Sequence, residues 1–537
     1  MSGLPARFRP GSHPAYHRPN GADHSNRAGR EGRPVSDLKR EDFTLFDNRK
    51  PREIEVFTVD RNGQNHVSNL ARAAQPSEHV YTNTELERSG PNGVTVILLD
   101  SLNTKWTDQS RAAQTVVRFL SQIRPEDHIA IYSIGLRGFR VLHDFTTDAS
   151  DLVARRSTWN GEIPRVKSPD LGDQLAGVLA GNDRGERLNQ RRAPQAETDV
   201  SGATLTTLNM MESLATRLAG IPGRKNVIWI SDGFPLLSWG YLDRVVFSPT
   251  LIRPVDLKGE DPSEAFQREG DRTMHLLDGA NVAVYPVEAR GMLMYWDKPR
   301  GPGAPTMATT VETAHDEATE QTMEEIARRT GGRAFVRTND IFGAIRAAVD
   351  DSRLTYTLGF YPDSRFDGKF HPIAIKLAGR SGVTLRYRSG YIDEQDVPSS
   401  PENRKTELEE ASLSPLDANA IPITARLESS ANKGTYRLSL AIGISNLNLR
   451  QESGNWAGDI DVMLVQRGGR GREFGRVNDT ISLHLRPETY ERVVKTGVPY
   501  EREFALNPHA NVVRVVVRDP AAGNLGSVTI PAADLQP

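Results

Sequence analysis

The 537 residues of this chain are enough for several ordinary domains, so each stretch has to be read on its own terms. Lys and Arg total 67 against 69 Asp and Glu, a formal charge of −2, which leaves no overall basic field to draw in nucleic acid or an acidic membrane. With Cys 0, disulfides, thiolate metal sites and cysteine nucleophiles are excluded, and any metal has to be held by oxygen or His.

Composition points to a soluble globular protein, and the densest apolar runs, Val94 to Leu99 and Val512 to Val517, fall far short of the roughly eighteen residues that span a bilayer. No transmembrane segment is expected. The first thirty residues carry Pro, Gly, His and Arg without an apolar core, so they do not read as a signal peptide. Disorder is expected over 1–34, where His13, His17 and His24 have no ordered scaffold to make them a metal site. Residues 35–60 read as a small β segment, with Phe43, Leu45 and Phe46 before the turn signal Asp47-Asn48 and Ile54, Val56 and Phe57 after it. Residues 61–92 are polar and aperiodic and read as a linker.

A larger unit is expected over 93–395. Val94 to Leu99 is a continuous apolar run ending in Asp100, the pattern of a strand buried on both faces of a parallel sheet. Thr107 is placed to cap a helix carrying Ala112, Val116, Leu120 and Ile123, with Pro125 to stop it. His128 to Ile134 reads as a second strand, Phe139 to Phe145 as an antiparallel edge strand, and Asp148 to Arg155 as a short helix. Residues 157–200 interrupt the pattern; the Arg-rich stretch 184–192 has no interleaved aromatics, so a solvated loop is expected there and no nucleic-acid partner.

The alternation resumes with a helix from Thr204, a strand Asn226 to Ile230 leading into Ser231-Asp232-Gly233, and a helix around Glu264 to Leu277. A strand Val282 to Val287, helix Thr322 to Thr330, short strand Ala334 to Val336 and helix Ile341 to Val349 follow. This alternation predicts an α/β fold with a doubly wound, mostly parallel sheet of Rossmann-like kind, in which ligands bind at the carboxyl ends of the strands. The period-two runs Leu354 to Phe360, Ile373 with Ile375, and Val383 to Tyr387 predict a small antiparallel extension of that sheet. Residues 396–419 read as a second linker and 420–537 as an all-β sandwich of about seven strands, marked by alternation from Tyr436 to Ile444, Ile460 to Leu464 and Ile481 to Leu485.

The phrases VTVILLDSLNT, IPGRKNVIWISDGFP, RTGGRAF and TYTLGFYP resemble the bacterial VWFA-related proteins, a divergent branch of the von Willebrand factor A superfamily. The resemblance covers most of the chain, including the small N-terminal β segment and the C-terminal β region. It implies a non-enzymatic, adhesion-type protein that binds another protein or ligand, in a family whose members are often exported. It also implies an Mg²⁺ or Mn²⁺ site built from a D-x-S-x-S loop, a Thr and an Asp. By position these are Asp100, Thr104, Thr204 and Asp232. Leu102 stands where the middle hydroxyl belongs, and an aliphatic side chain offers nothing to a hard cation, so a degenerate site is expected, with Asn103 or water filling the vacancy.

Without a metal, Asp100 reads as an ordinary cap of the loop after its strand. A haloacid-dehalogenase-like phosphotransferase uses the same residue types, with Asp100 as nucleophile beside Thr104, Lys225 and Asp232, but Leu102 occupies the place of its general acid. Trp106, Phe234, Leu236, Leu237 and Trp239 supply an apolar rim near the Asp100 loop or else pack against the insertions 157–200 and 288–318. The sequence does not identify the protein partner.

Overall fold

The computed structural model describes residues 15–17, 20–21, 35–61, 79–84, 93–124, 127–135, 138–146, 203–221, 223–233, 262–291, 307–363, 367–380, 382–393, 401–414, 416–430, 432 and 434–535. Val94–Asp100 lies in the middle of a five-stranded sheet, in the order Val282–Glu288, Lys225–Ser231, Val94–Asp100, Ile129–Gly135, Gly138–Thr146. The first four strands are parallel and the fifth is antiparallel. Every residue of the four parallel strands is buried, as their unbroken apolar runs require.

Alternation along Val94–Asp100 divides its side chains between two cores. Val94, Val96 and Leu98 pack with Leu208, Met211 and Leu214 of the helix 203–218. On the other face Ile97 and Leu99 meet Val116 and Phe119 of the helix Trp106–Leu120, and Ile345 of the helix Ile341–Asp350. Each such side chain contributes roughly 1.5–3 kcal/mol by leaving water. The helix Trp106–Leu120 starts two residues earlier than a Thr107 cap would place it: its N-cap is Lys105, with no side-chain cap.

The period-two segments do not extend this sheet. Leu354–Phe360 pairs antiparallel with Val56–Arg61 on one side and with Ala15–His17 on the other. Phe370–Leu377 pairs with Phe43–Asp47 and with Gly390–Ile392. Leu38, Phe43, Leu45, Ile54, Leu354, Tyr356, Phe360, Ile373 and Ile375 form one core, so residues 35–61 and 354–393 make a single module from distant parts of the chain. Short strands at Ala15–His17 and Asn20–Gly21 also place paired backbone inside the stretch expected to be disordered.

The C-terminal part is two antiparallel sheets around one core. One holds Val498–Ala505, Thr435–Ile442, Ile423–Ser429 and Val80–Thr82; the other holds Arg450–Glu452, Asn455–Arg467, Glu473–Leu485, Val512–Arg518 and Leu525–Pro531. Val80–Thr82 comes from the expected linker 61–92, held by Asn83, whose Nδ2 donates to the carbonyls of Ala418 and Ile421. The second expected linker is helical over Pro401–Leu413. That helix docks on the outer face of the sandwich, where Leu408 and Ala411 pack on Met463, Val465 and Val516. Buried Arg518 pairs there with Glu407, and Arg514 donates to the Ala411 carbonyl.

The expected fold class is therefore corrected. Of 23 strands among the described residues, five belong to the sheet with parallel pairing, and every other sheet is antiparallel, so the chain is mostly β rather than a doubly wound α/β protein. The reading failed because long apolar runs advertise a parallel sheet loudly, whereas short half-exposed strands such as Lys50–Arg52 and Val80–Thr82 carry no periodic signal. The helix expected at Asp148 to Arg155, the Arg-rich stretch 184–192 and the rim residues Phe234, Leu236, Leu237 and Trp239 lie outside the described residues, as does the side chain of Trp106. Among the described residues, no helix is long and apolar enough to cross a membrane.

Candidate functional site

Asp100 ends the central strand and is 2% exposed. Its Oδ1 accepts the backbone N–H groups of Leu102 at 3.0 Å and Asn103 at 3.1 Å. Its Oδ2 accepts from Asn103 Nδ2 at 2.8 Å, Trp229 Nε1 at 3.0 Å and Ser231 Oγ at 3.0 Å. A carboxylate offers about four lone-pair positions, so five donors fill it. Burial pushes the Asp100 carboxyl above its usual range, while the bonds from Asn103, Trp229 and Ser231 pull the other way.

Asn103 Nδ2 also donates to Thr207 Oγ1 at 2.9 Å. The amide nitrogen must be the atom facing Asp100, because its oxygen would set two acceptors against each other. The Asn103 NH₂ therefore bridges Asp100 and Thr207. Gln109 ties down the same loop from beneath, its Nε2 donating to the carbonyls of Ser101 at 3.0 Å and Thr104 at 2.7 Å.

Asp232 follows the neighbouring strand. Its backbone N–H donates to Thr104 Oγ1 at 3.2 Å, and its Oδ2 accepts the Lys105 N–H at 2.9 Å. Lys105 is the N-cap of the helix Trp106–Leu120, so the carboxylate sits at the positive end of that helix dipole. Its other oxygen, Oδ1, is buried with no hydrogen-bond partner among the described residues. Burial pushes the Asp232 carboxyl up to about 7; the charge of Asp108 adds to the rise, and the Lys105 N–H and Arg290 oppose it. Arg290 pairs with Glu288 and with Asp316. Gly233 closes the turn at φ +78, where a Cβ would come within 2.6 Å of Thr319 Cγ2.

Of the four residues expected at a metal site, Asp100, Thr104 and Asp232 converge on the loop 101–105. Thr204 is fully buried in the first turn of its helix, and the hydroxyl bonded into the Asp100 network is that of Thr207, one turn on and on the same helical face. That three-residue spacing was the available signal for Thr207. Leu102 packs against the apolar core beside helix 203–218.

A divalent cation needs open oxygens. Those of Asp100 are filled by donors, Leu102 offers none, and the Asn103 NH₂ lies between Asp100 Oδ2 and Thr207 Oγ1. Of the two carboxylates, Asp232 keeps one oxygen, Oδ1, without a hydrogen bond among the described residues. In this arrangement the four residues do not fit Mg²⁺ or Mn²⁺. The phosphotransferase scheme meets a further obstacle. Lys225 opens its strand opposite Val94, so it stands at the far end of the sheet from Asp100, roughly 20 Å away at about 3.3 Å per residue, with its Nζ donating to the Ile221 carbonyl.

No protein-family model matches the chain, and no curated protein matches it. Among solved structures it is similar to the pilus adhesin SpaC from Lactobacillus rhamnosus GG, with 9% identity and a TM-score of 0.28, over 81% of this chain and 54% of that one. The open conformation of SpaC gives 9% identity and a TM-score of 0.25, over 80% of this chain and 66% of that one. The match thus spans less than two thirds of SpaC.

Proposed function

We propose that the chain is a non-enzymatic binding protein that offers a protein partner the loop face at the carboxyl ends of Val94–Asp100 and Lys225–Ser231, without a metal in the contact. The saturation of Asp100 by five donors carries this reading. A nucleophile needs a free lone pair and a path to substrate, and a cation ligand needs an open oxygen; Asp100 has neither. What such a network does well is hold a loop rigid, and rigid loops at strand ends are suited to recognition. The resemblance of VTVILLDSLNT and IPGRKNVIWISDGFP to the VWFA-related proteins supports the same role. Mg²⁺ or Mn²⁺ would enter only by displacing the Asn103 amide.

The experiment assays generic phosphoester turnover by the purified chain with and without millimolar Mg²⁺, alongside Asp100→Asn. No turnover in either is expected. Turnover by the wild type that disappears in Asp100→Asn overturns the reading.

A further inference from the structure

Far along the chain from Asp100, in the module made by residues 35–61 and 354–393, Asp367, His371 and Asp393 bring their ligand atoms within 4.8 Å of one another. His371 and Asp393 are buried, and Asp367 sits on the exposed approach to the strand Phe370–Leu377. The backbone holds them there. The Gly368 N–H donates to the Asp393 carbonyl at 3.0 Å, and the Asp393 N–H donates to the Lys369 carbonyl at 3.1 Å. His371 faces Tyr391 across the strand pair, their ring centroids 5.2 Å apart. The neighbouring Gly390 allows that approach, since a Cβ there would fall 2.3 Å from the His371 carbonyl oxygen.

The hydrogen bonds around the imidazole decide which nitrogen is bare. Asp47, 2% exposed, accepts from Arg52 Nε at 3.2 Å and Nη2 at 3.1 Å. The Tyr391 hydroxyl donates to Asp47 Oδ1 at 3.3 Å. Having donated, the hydroxyl can only accept from His371 Nδ1, 3.4 Å away. With the hydroxyl proton directed at Asp47, the ring proton sits on Nδ1. In that tautomer Nε2 presents a lone pair to Asp367 Oδ1 at 3.1 Å, an oxygen that accepts the Lys369 N–H at 3.0 Å and has only lone pairs to offer the ring. Two acceptors at that distance repel unless a positive centre lies between them.

We propose that Asp367, His371 Nε2 and Asp393 form a divalent transition-metal site, of which Zn²⁺ is the best-matched occupant, with the Tyr391–Asp47–Arg52 chain orienting the imidazole from behind. One imidazole and two carboxylates suit zinc, whose bonds to N and O of about 2.0–2.2 Å separate tetrahedral ligand atoms by roughly 3.4 Å. The His371–Asp367 spacing already meets this, and the exposed Asp367 has room to move toward Asp393. A ligating His whose second nitrogen is held through a hydroxyl to a buried carboxylate is the arrangement that fixes the tautomer and raises the basicity of metal-binding imidazoles. The site lies apart from the Asp100 loop and does not depend on the function proposed for it.

The test titrates the full chain and two variants, His371→Asn and Asp367→Asn, with Zn²⁺ by calorimetry, and repeats the titration with Co²⁺ read by its visible d–d bands. The wild type is expected to bind one equivalent more than either variant, since His13, His17 and His24 are present in all three and contribute equally. The Co²⁺ bands should weaken in both variants. Asp367→Asn alters an exposed side chain, so it keeps the test valid if His371→Asn fails to fold. Equal stoichiometry and identical Co²⁺ spectra in wild type and Asp367→Asn overturn the proposal; the interaction of His371 with Asp367 is then a protonated ion pair.

Discussion

Asp100 and Asp367 are both carboxylates beside a strand end, but Asp100 takes five hydrogen bonds within its own network, whereas Asp367 accepts the Lys369 N–H and faces the Nε2 of His371. The difference lies in what the neighbouring side chains supply. Around Asp100 they are donors, namely Asn103, Trp229 and Ser231, so negative charge is neutralised by hydrogen bonds alone. Around Asp367 they are the Lys369 N–H, His371 and Asp393, so two carboxylates and an imidazole come together where a cation could be held. Proximity of acidic groups in a fold therefore says little about cations until the donors facing them are counted.

Removing the donors' shared acceptor should break the Asp100 network most severely. Asp100→Ala leaves Trp229 Nε1, Ser231 Oγ and the Asn103 amide to find new partners in a buried place, and a loss of about 3–5 kcal/mol is expected from the central sheet's transition in urea. A loss below about 1 kcal/mol would mean the network is not what holds the loop.

Asp232 gives the comparison a pH axis. Its folded carboxyl is raised from 3.8 to about 7, so between those values the folded state holds a proton that the unfolded chain has released. Stability from this group is present at low pH and is lost as pH rises through about 7. Asp232→Asn, which cannot ionise, should gain on the wild type by roughly 2–3 kcal/mol between pH 5 and pH 8, at about 1.4 kcal/mol per pH unit. Parallel pH profiles for the two proteins would show that the open Oδ1 is solvated.

At the Asp367–His371–Asp393 cluster, Zn²⁺ at tenfold excess over its Kd should stabilise the module by about 1.4 kcal/mol. That amounts to a rise of a few degrees in its melting temperature, lost in Asp367→Asn. Smallest of all, Thr207→Val removes one acceptor from the Asn103 amide and should cost about 1 kcal/mol. Thr204→Val is the comparison, and a larger effect there would return Thr204 to the centre of the site.

Much of the central sheet was legible because its strands are local apolar runs punctuated by Asp100 and Ser231-Asp232-Gly233. Asp100 and Asp232 stand out for the same reason, since a residue at the end of a buried strand announces its place, whereas Thr104 follows only from the resemblance to the VWFA-related proteins. What the runs could not show was the other side of each bond. Whether Asn103 turns its amide toward Asp100, and whether Thr204 or Thr207 meets it, depends on the rotation of a helix joined to the loop by roughly a hundred intervening residues. The histidine cluster was illegible for a deeper reason. Phe43–Asp47 and Phe370–Leu377 pair across more than three hundred residues, and nothing local in either strand names its partner. The apolar alternation of Leu354 to Phe360 marks a strand, yet that strand belongs with Val56–Arg61 rather than beside the parallel sheet.

The central claim is that the Asp100 network is complete without a metal. Differential scanning calorimetry of the full chain, with and without millimolar Mg²⁺ and with Leu102→Ser alongside, tests it most directly. The account predicts that Mg²⁺ leaves the wild-type transition of the central sheet where it was, because the Asn103 amide holds the position a cation needs, and that Leu102→Ser alone does not change this. A wild-type shift of several degrees that vanishes in both Asp100→Asn and Asp232→Asn would contradict it.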